Sequence, residues 1–210
     1  MTREGARVTC EDARNKVVIL DRDGTLVIDR GYLDDPAGLE FEAGAADALR
    51  RLHAHGYRLV VITNQSGVAR GLFPLQRVIA MNARLTAMVE AAGAKLAGIY
   101  FCPHAPDAGC ACRKPGLGLL SRAAADLDFD PKLAVVIGDK PSDVEFGRRA
   151  GARTILIAGR APHAAAQPRP GTAPGPVPDA VLPNLMEAAL AITAGPACAR
   201  GEKDPRRPAE

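Results

Sequence analysis

Short, wholly apolar runs punctuate the chain, and each ends in small, charged or hydroxylated residues. The clearest are Val17-Val18-Ile19-Leu20, Leu59-Val60-Val61-Ile62 and Ala134-Val135-Val136-Ile137. Four aliphatic residues in a row, bounded by turn formers, read as strands buried on both faces. Strands are predicted over 17–20, 58–63, 98–101, 134–138 and 154–157, with helices over 45–55, 75–91, 117–127 and 142–150 between them. Gly56, Gly93 and Gly151 follow three of these helices as stop signals. Regular alternation of β and α predicts an α/β fold: a Rossmann-like, doubly wound parallel sheet with helices on both faces. The pattern breaks over 161–178, where six of eighteen residues are proline. That composition packs no core and reads as a linker or crossover. A strand at 180–182 and a helix at 185–192, within a segment 179–194, are expected to return to the sheet. Residues 1–15 read as a loose leader and 195–210 as a disordered tail.

Composition narrows the classes. The chain has 210 residues, 47% of them hydrophobic, enough for one sizeable core. Net charge is +3, without a dense basic block, and aromatics are only 4%, which argues against nucleic acid as a partner. No apolar run has the roughly 18 residues of a membrane span, and the N-terminus lacks an apolar signal core. A cytoplasmic protein without membrane partners is expected.

Four short stretches carry candidate chemistry. Asp21-Arg22-Asp23-Gly24-Thr25 follows the first strand, so its carboxylates sit at the C-terminal end of the sheet, where open α/β folds bind ligands. One acid can attack as a nucleophile and the other can move a proton while both face a divalent metal. Such an acid pair before Gly is also a common turn. Arg22 between the acids carries no evident signal. Thr63-Asn64-Gln65-Ser66-Gly67 follows the second strand and offers a hydroxyl and backbone amides to a phosphoryl oxygen. Arg113-Lys114-Pro115 places fixed cations beside a helix start. Gly138-Asp139-Lys140 follows the fourth strand, where Asp139 can complete a magnesium site, with Asp143 one helical turn on as support. Each stretch has an ordinary reading as a polar turn or solvated charge. The order acid pair, hydroxyl, cation, acid, each near a strand tip or helix start, is what chance does not readily supply.

Three of the five cysteines cluster with a histidine: Cys102-Pro103-His104, five residues, then Cys110-Ala111-Cys112. Three thiolates and an imidazole without a carboxylate suit a closed structural zinc site. The loop 102–112 runs directly into Arg113 and Lys114, so zinc there would stiffen the segment that delivers the cations. Cys10 and Cys198 read as free thiols in the tails, and His53 and His55 as surface residues.

The ordered set of stretches resembles the haloacid dehalogenase superfamily of phosphotransferases over Val17 to Ile157. With its cysteine loop the chain resembles the zinc-loop, minimal-cap branch, which includes heptose-bisphosphate and histidinol-phosphate phosphatases. The resemblance implies a phosphatase domain over 16–160. It further implies Asp21 as nucleophile, Asp23 as acid/base, and Thr63 and Lys114, with Arg113 beside them, holding the phosphoryl group. Magnesium would be bound by Asp21, the backbone carbonyl of Asp23, and Asp139; zinc by Cys102, His104, Cys110 and Cys112. Asp29-Arg30-Gly31-Tyr32 and Thr63-Asn64-Gln65-Ser66-Gly67-Val68-Ala69-Arg70-Gly71 resemble the heptose branch's substrate segments. Asp29, Arg30, Gly31, Tyr32, Asn64, Gln65, Ser66, Arg113 and Lys140 are thereby implied in substrate binding. The short zinc loop resembles the histidinol-phosphate branch. The expected substrate is the small-molecule sugar bisphosphate D-glycero-D-manno-heptose 1,7-bisphosphate, cut at its 7-phosphate by a monomer. Histidinol phosphate or another small phosphomonoester is the alternative, and a zinc-loop scaffold without activity is disfavoured because Asp21, Asp23 and Asp139 are all present.

Overall fold

A computed structural model of the chain describes residues 15–159 and 175–194. The expected leader, most of the proline-rich linker, the tail, Cys10 and Cys198 lie outside the described residues.

The strands are β1 (Val17–Leu20), β2 (Arg58–Asn64), β3 (Leu96–Cys102), β4 (Val135–Gly138), β5 (Arg153–Ile157) and β6 (Ala180–Leu182). The helices are α1 (Ala45–Ala54), α2 (Leu75–Ala91), α3 (Gly118–Leu127), α4 (Pro141–Ala150) and α5 (Leu185–Thr193). Every expected element is present, with ends moved by one or two residues. The largest change is β3, which runs from Leu96 to Cys102 rather than 98–101 because it pairs along most of β2. The late strand and helix do return, β6 pairing with β5 and α5 packing against α1.

All six strands are parallel, in the order β3-β2-β1-β4-β5-β6. The order reverses direction between β1 and β4, which makes their C-terminal tips the switch point of the sheet. Side chains alternate by face, as the pleat requires. Val18, Leu20, Leu59 and Val61 join one core under α1, α2 and α5, while Val17, Ile19, Val60 and Ile62 join the other with α3 and α4 residues. Each fully buried side chain contributes about 1.5–3 kcal/mol by leaving water.

Between β1 and α1, where a cap domain could be inserted, the described chain makes two isolated bridges and one 3₁₀ turn over Pro36–Gly38. The tips of β1 and β4 are therefore reached from solvent through loops alone. No helix among the described residues is long and apolar enough to cross a membrane.

Candidate active site

The chain leaves β1 at Leu20, and the Asp21 amide donates to the Ile137 carbonyl of β4 at 3.0 Å. This bond fixes the acid at the switch point. The turn after it needs Gly24: its φ is +89°, and a Cβ there would lie 2.5 Å from an Asp139 carboxylate oxygen. Close approach of the β1 and β4 tips thus depends on a missing side chain. Gly138 serves the same end, since its Cβ would meet the Asp143 carboxylate at 2.4 Å.

Lys114 forms the floor. Its side chain is 4% exposed, and its Nζ lies 2.7 Å from Asp21 Oδ1 and 2.6 Å from Asp143 Oδ1. Asn64, at the end of β2, holds this residue in place. Its side chain accepts from the Lys114 amide at 3.0 Å and donates to the Lys114 carbonyl at 3.2 Å. Thr63 is buried beside it. The four stretches, far apart in sequence, thus meet at one spot.

One carboxylate oxygen from each of Asp21, Asp139 and Asp143 falls within 4.8 Å of the others. An oxygen-only set of this kind suits magnesium. The Lys140 ammonium already sits among these groups, 3.2 Å from the Asp23 carbonyl oxygen, 3.5 Å from Asp139 Oδ2 and 4.0 Å from Asp21 Oδ2. It also reaches Asp29 at 3.3 Å. A positive charge at this point is therefore compatible with the pocket walls, and the residues fit a hard cation.

The charges shift one another. Burial alone would raise the Asp21 carboxyl, but Lys114 and Lys140 outweigh it and hold it below the usual range. Asp139 is pushed up to about 6, by burial first and then by Asp21 and Asp143 against the pull of Lys140. Asp143 is likewise raised, burial and Asp21 outweighing Lys114. Burial works to lower Lys114, yet Asp143 and Asp21 raise it above the ordinary lysine value. Three clustered acids whose proton affinities are pushed in opposite directions by burial, by the facing lysines and by one another mark a candidate functional site.

A cavity of about 350 Å³ opens over this floor, lined by Asp21, Asp23, Asp29, Gly31, Tyr32, Thr63, Asn64, Gln65, Ser66, Arg113, Lys114 and Lys140 among others. Of the residues expected to bind substrate, Arg30 is not in the lining. It pairs instead with Glu40. Its loop is short and its long side chain finds an acid on the neighbouring segment, which local sequence does not reveal. Gln65 lines the pocket but turns its side chain inward to Asp23 and Thr63. Arg113 has a guanidinium nitrogen buried without a hydrogen-bond partner. Tyr32 is half exposed, with the Arg70 guanidinium 5.8 Å from its ring centroid. Sequence reasoning missed Arg22, whose buried contacts are described below.

Behind Lys114 lies the cysteine loop. Cys102, His104, Cys110 and Cys112 each offer one ligand atom, all within 4.8 Å of one another. Adjacent donor atoms are 3.1–3.6 Å apart. A tetrahedral zinc with S and N ligands has edges of about 3.5–3.8 Å, so the set is nearly closed around such an ion. Burial pushes the Cys102 thiol up to about 12, a cost that binding of a divalent cation would reverse. The Gln65 amide donates to the Cys102 carbonyl at 2.7 Å, which ties this loop to the turn after β2.

Comparison with known proteins agrees with this arrangement. Residues 111–188 match the HAD-hydrolase-like family model. The D-glycero-beta-D-manno-heptose-1,7-bisphosphate 7-phosphatase of Haemophilus ducreyi is 40% identical over 149 residues, covering 68% of this chain and 82% of that protein. The enzyme of the same name from Helicobacter pylori is 40% identical over 144 residues, covering 68% and 83%. Among solved structures, the D,D-heptose 1,7-bisphosphate phosphatase of B. bronchiseptica, complexed with magnesium and phosphate, matches with a TM-score of 0.74 and 32% identity, over 84% of this chain and 97% of that one. The chain belongs to the haloacid dehalogenase-like phosphatases, in the family of the heptose-1,7-bisphosphate 7-phosphatases.

Proposed function

We propose that this chain hydrolyses the 7-phosphate of D-glycero-D-manno-heptose 1,7-bisphosphate, leaving the 1-phosphate on the sugar, through an aspartyl-phosphate on Asp21. The observation that carries the reading is the buried Lys114 ammonium between Asp21 and Asp143 at the floor of an open, charged pocket. The 40% identity to enzymes of that name supports the choice of substrate.

Asp21 stays ionised because two lysines face it, which suits a nucleophile at neutral pH. Its carboxylate attacks phosphorus, the bond from phosphorus to the sugar oxygen breaks, and Asp23 gives that oxygen its proton. Water then attacks the aspartyl-phosphate, Asp23 takes the water proton, and inorganic phosphate leaves with Asp21 restored. Thr63 and Lys114 hold the phosphoryl oxygens and Arg113 takes part in recognising the substrate. Asp29, Gly31, Tyr32, Asn64, Ser66 and Lys140 shape the pocket around the sugar and its phosphates.

Magnesium would be held by Asp21, the Asp23 carbonyl and Asp139, and when bound it supplies charge neutralisation for the approach of one anion to another. Zinc would be held by Cys102, His104, Cys110 and Cys112, where it braces the segment carrying Arg113 and Lys114. The protein acts in this reading as a cytoplasmic monomer. Histidinol phosphate carries positive groups that Arg113 and Lys140 repel, a repulsive element that favours the bisphosphate. The test compares catalytic efficiency on heptose bisphosphate, fructose 1,6-bisphosphate and histidinol phosphate at equal magnesium. Highest efficiency on the heptose supports the reading, and highest efficiency on histidinol phosphate overturns it.

A further inference from the structure

Arg22 lies between the two acids, and its side chain is only 4% exposed. Burying a guanidinium costs several kcal/mol unless its donors are met. Here they are met by three side chains from three parts of the chain. Nε donates to Asp23 Oδ1 and Oδ2 at 3.1 and 3.2 Å, and a terminal nitrogen lies 3.0 Å from Asp23 Oδ2. That same nitrogen donates to Gln65 Oε1 at 2.9 Å, and the other donates to Asn82 Oδ1 at 3.2 Å. Asn82 sits mid-way along α2 and is buried, an uneconomical place for an amide without a polar task.

The contacts converge on Asp23. Gln65 Nε2 donates to Asp23 Oδ2 at 2.8 Å and to Thr63 Oγ1 at 2.9 Å. One amide thus sets the Asp23 carboxyl relative to the Thr63 hydroxyl. The backbone is pinned as well, since the Arg22 carbonyl accepts from the amides of Leu26 and Val27 at 2.9 and 3.0 Å. Asp23 is the more exposed partner, its side chain 24% accessible, and would otherwise have free χ angles. Proton transfer needs the acid held to within about 0.5 Å of its working position.

We propose that Arg22, itself anchored by Asn82 and Gln65, is a positioning residue that aims the Asp23 carboxyl at the leaving oxygen. The proposal rests on the reading of Asp23 as acid/base. A bracket that merely holds α2 to the sheet would lower all activity alike. A positioning residue for the general acid instead weakens the departure of a poor leaving group. In that step the P–O bond to the sugar breaks as the Asp21–P bond forms, and the departing alkoxide receives the Asp23 proton. A nitrophenolate leaves without one.

The experiment measures kcat/KM on heptose bisphosphate and on p-nitrophenyl phosphate for wild type, Arg22→Met, Asn82→Leu and Asp23→Asn. Loss of acid/base assistance is commonly a factor of about 10² to 10⁴. Arg22→Met is expected to lose at least about tenfold more on the sugar phosphate than on the aryl phosphate, in the same direction as Asp23→Asn. Asn82→Leu, which keeps Arg22 and supports the inference should Arg22→Met not fold, is expected to show the same bias at smaller size. Equal losses on both substrates in the Arg22 and Asn82 variants, with Asp23→Asn still biased, overturn the positioning role alone. An unbiased Asp23→Asn overturns the acid/base reading beneath it.

Discussion

Asp139→Asn separates what the cation site costs from what it does. Asp139 is 9% exposed, and its carboxyl is pushed from 3.8 to about 6. Burial is the main cause, the charges of Asp21 and Asp143 add to it, and Lys140 opposes it. At about 1.4 kcal/mol per tenfold change in proton affinity, the ionised form costs the folded, magnesium-free protein about 3 kcal/mol. The sign follows from the raised value: the stability is fully present below pH 3.8 and is lost as pH rises through about 6. Asparagine keeps the shape and cannot ionise. In magnesium-free buffer without chelator, which would leave zinc bound by the cysteine loop in place, urea unfolding is expected to give equal stability for wild type and variant near pH 4. The variant is expected to be more stable by up to about 3 kcal/mol at pH 7.5. Added magnesium is expected to raise the wild-type midpoint and leave the variant's nearly unmoved. A variant less stable than wild type at pH 7.5 without magnesium would refute the reasoning. It would mean that Lys140 more than compensates the buried charge.

Lys114→Met removes the cation between two buried carboxylates and is expected to cost about 3–5 kcal/mol by urea unfolding at pH 7.5, with activity abolished. Gly24→Ala forces a side chain into a positive-φ turn and against Asp139, with an expected cost of about 1–3 kcal/mol in the same assay and a weaker magnesium-induced rise in the melting midpoint. Elemental analysis is expected to find one zinc per chain in wild type and little in Cys112→Ser, whose KM for heptose bisphosphate should rise as the segment bearing Arg113 and Lys114 loosens.

Much of the fold was legible because the signals were local. Val17–Leu20 and its counterparts at β2 and β4 are buried on both faces, so each is a plain apolar run. That the acid pair, Thr63 and Asp139 come together was legible for a related reason: each follows a strand whose tip lies at or beside the switch point of a parallel sheet, where such folds gather their ligand groups, whereas Lys114 reaches the same spot from the loop after β3. The cysteine loop was legible from ligand type alone. What stayed hidden depended on distant partners. Arg22 looked neutral because Asn82 and Gln65 lie far along the chain. Arg30 looked like a substrate cation because nothing local announces its pairing with Glu40. The resting place of the Lys140 ammonium, among Asp29, Asp139 and the Asp23 carbonyl, is set by charges that only the folded chain brings together. The full length of β3 was missed because Gly98 interrupts its apolar run, and Leu96 and Cys102 join the strand only through pairing with Leu59 and Asn64 of β2.

The central claim is a phosphoryl group carried on Asp21. Its most direct test is acid quenching of a single turnover with heptose bisphosphate radiolabelled at the 7-phosphate, followed by peptide mapping. Label is expected to appear transiently on the peptide containing Asp21, to accumulate if Asp23→Asn slows its hydrolysis, and to vanish in Asp21→Asn together with turnover. Phosphate release at near wild-type rate from Asp21→Asn, with no protein-bound label at any quench time, would contradict the account.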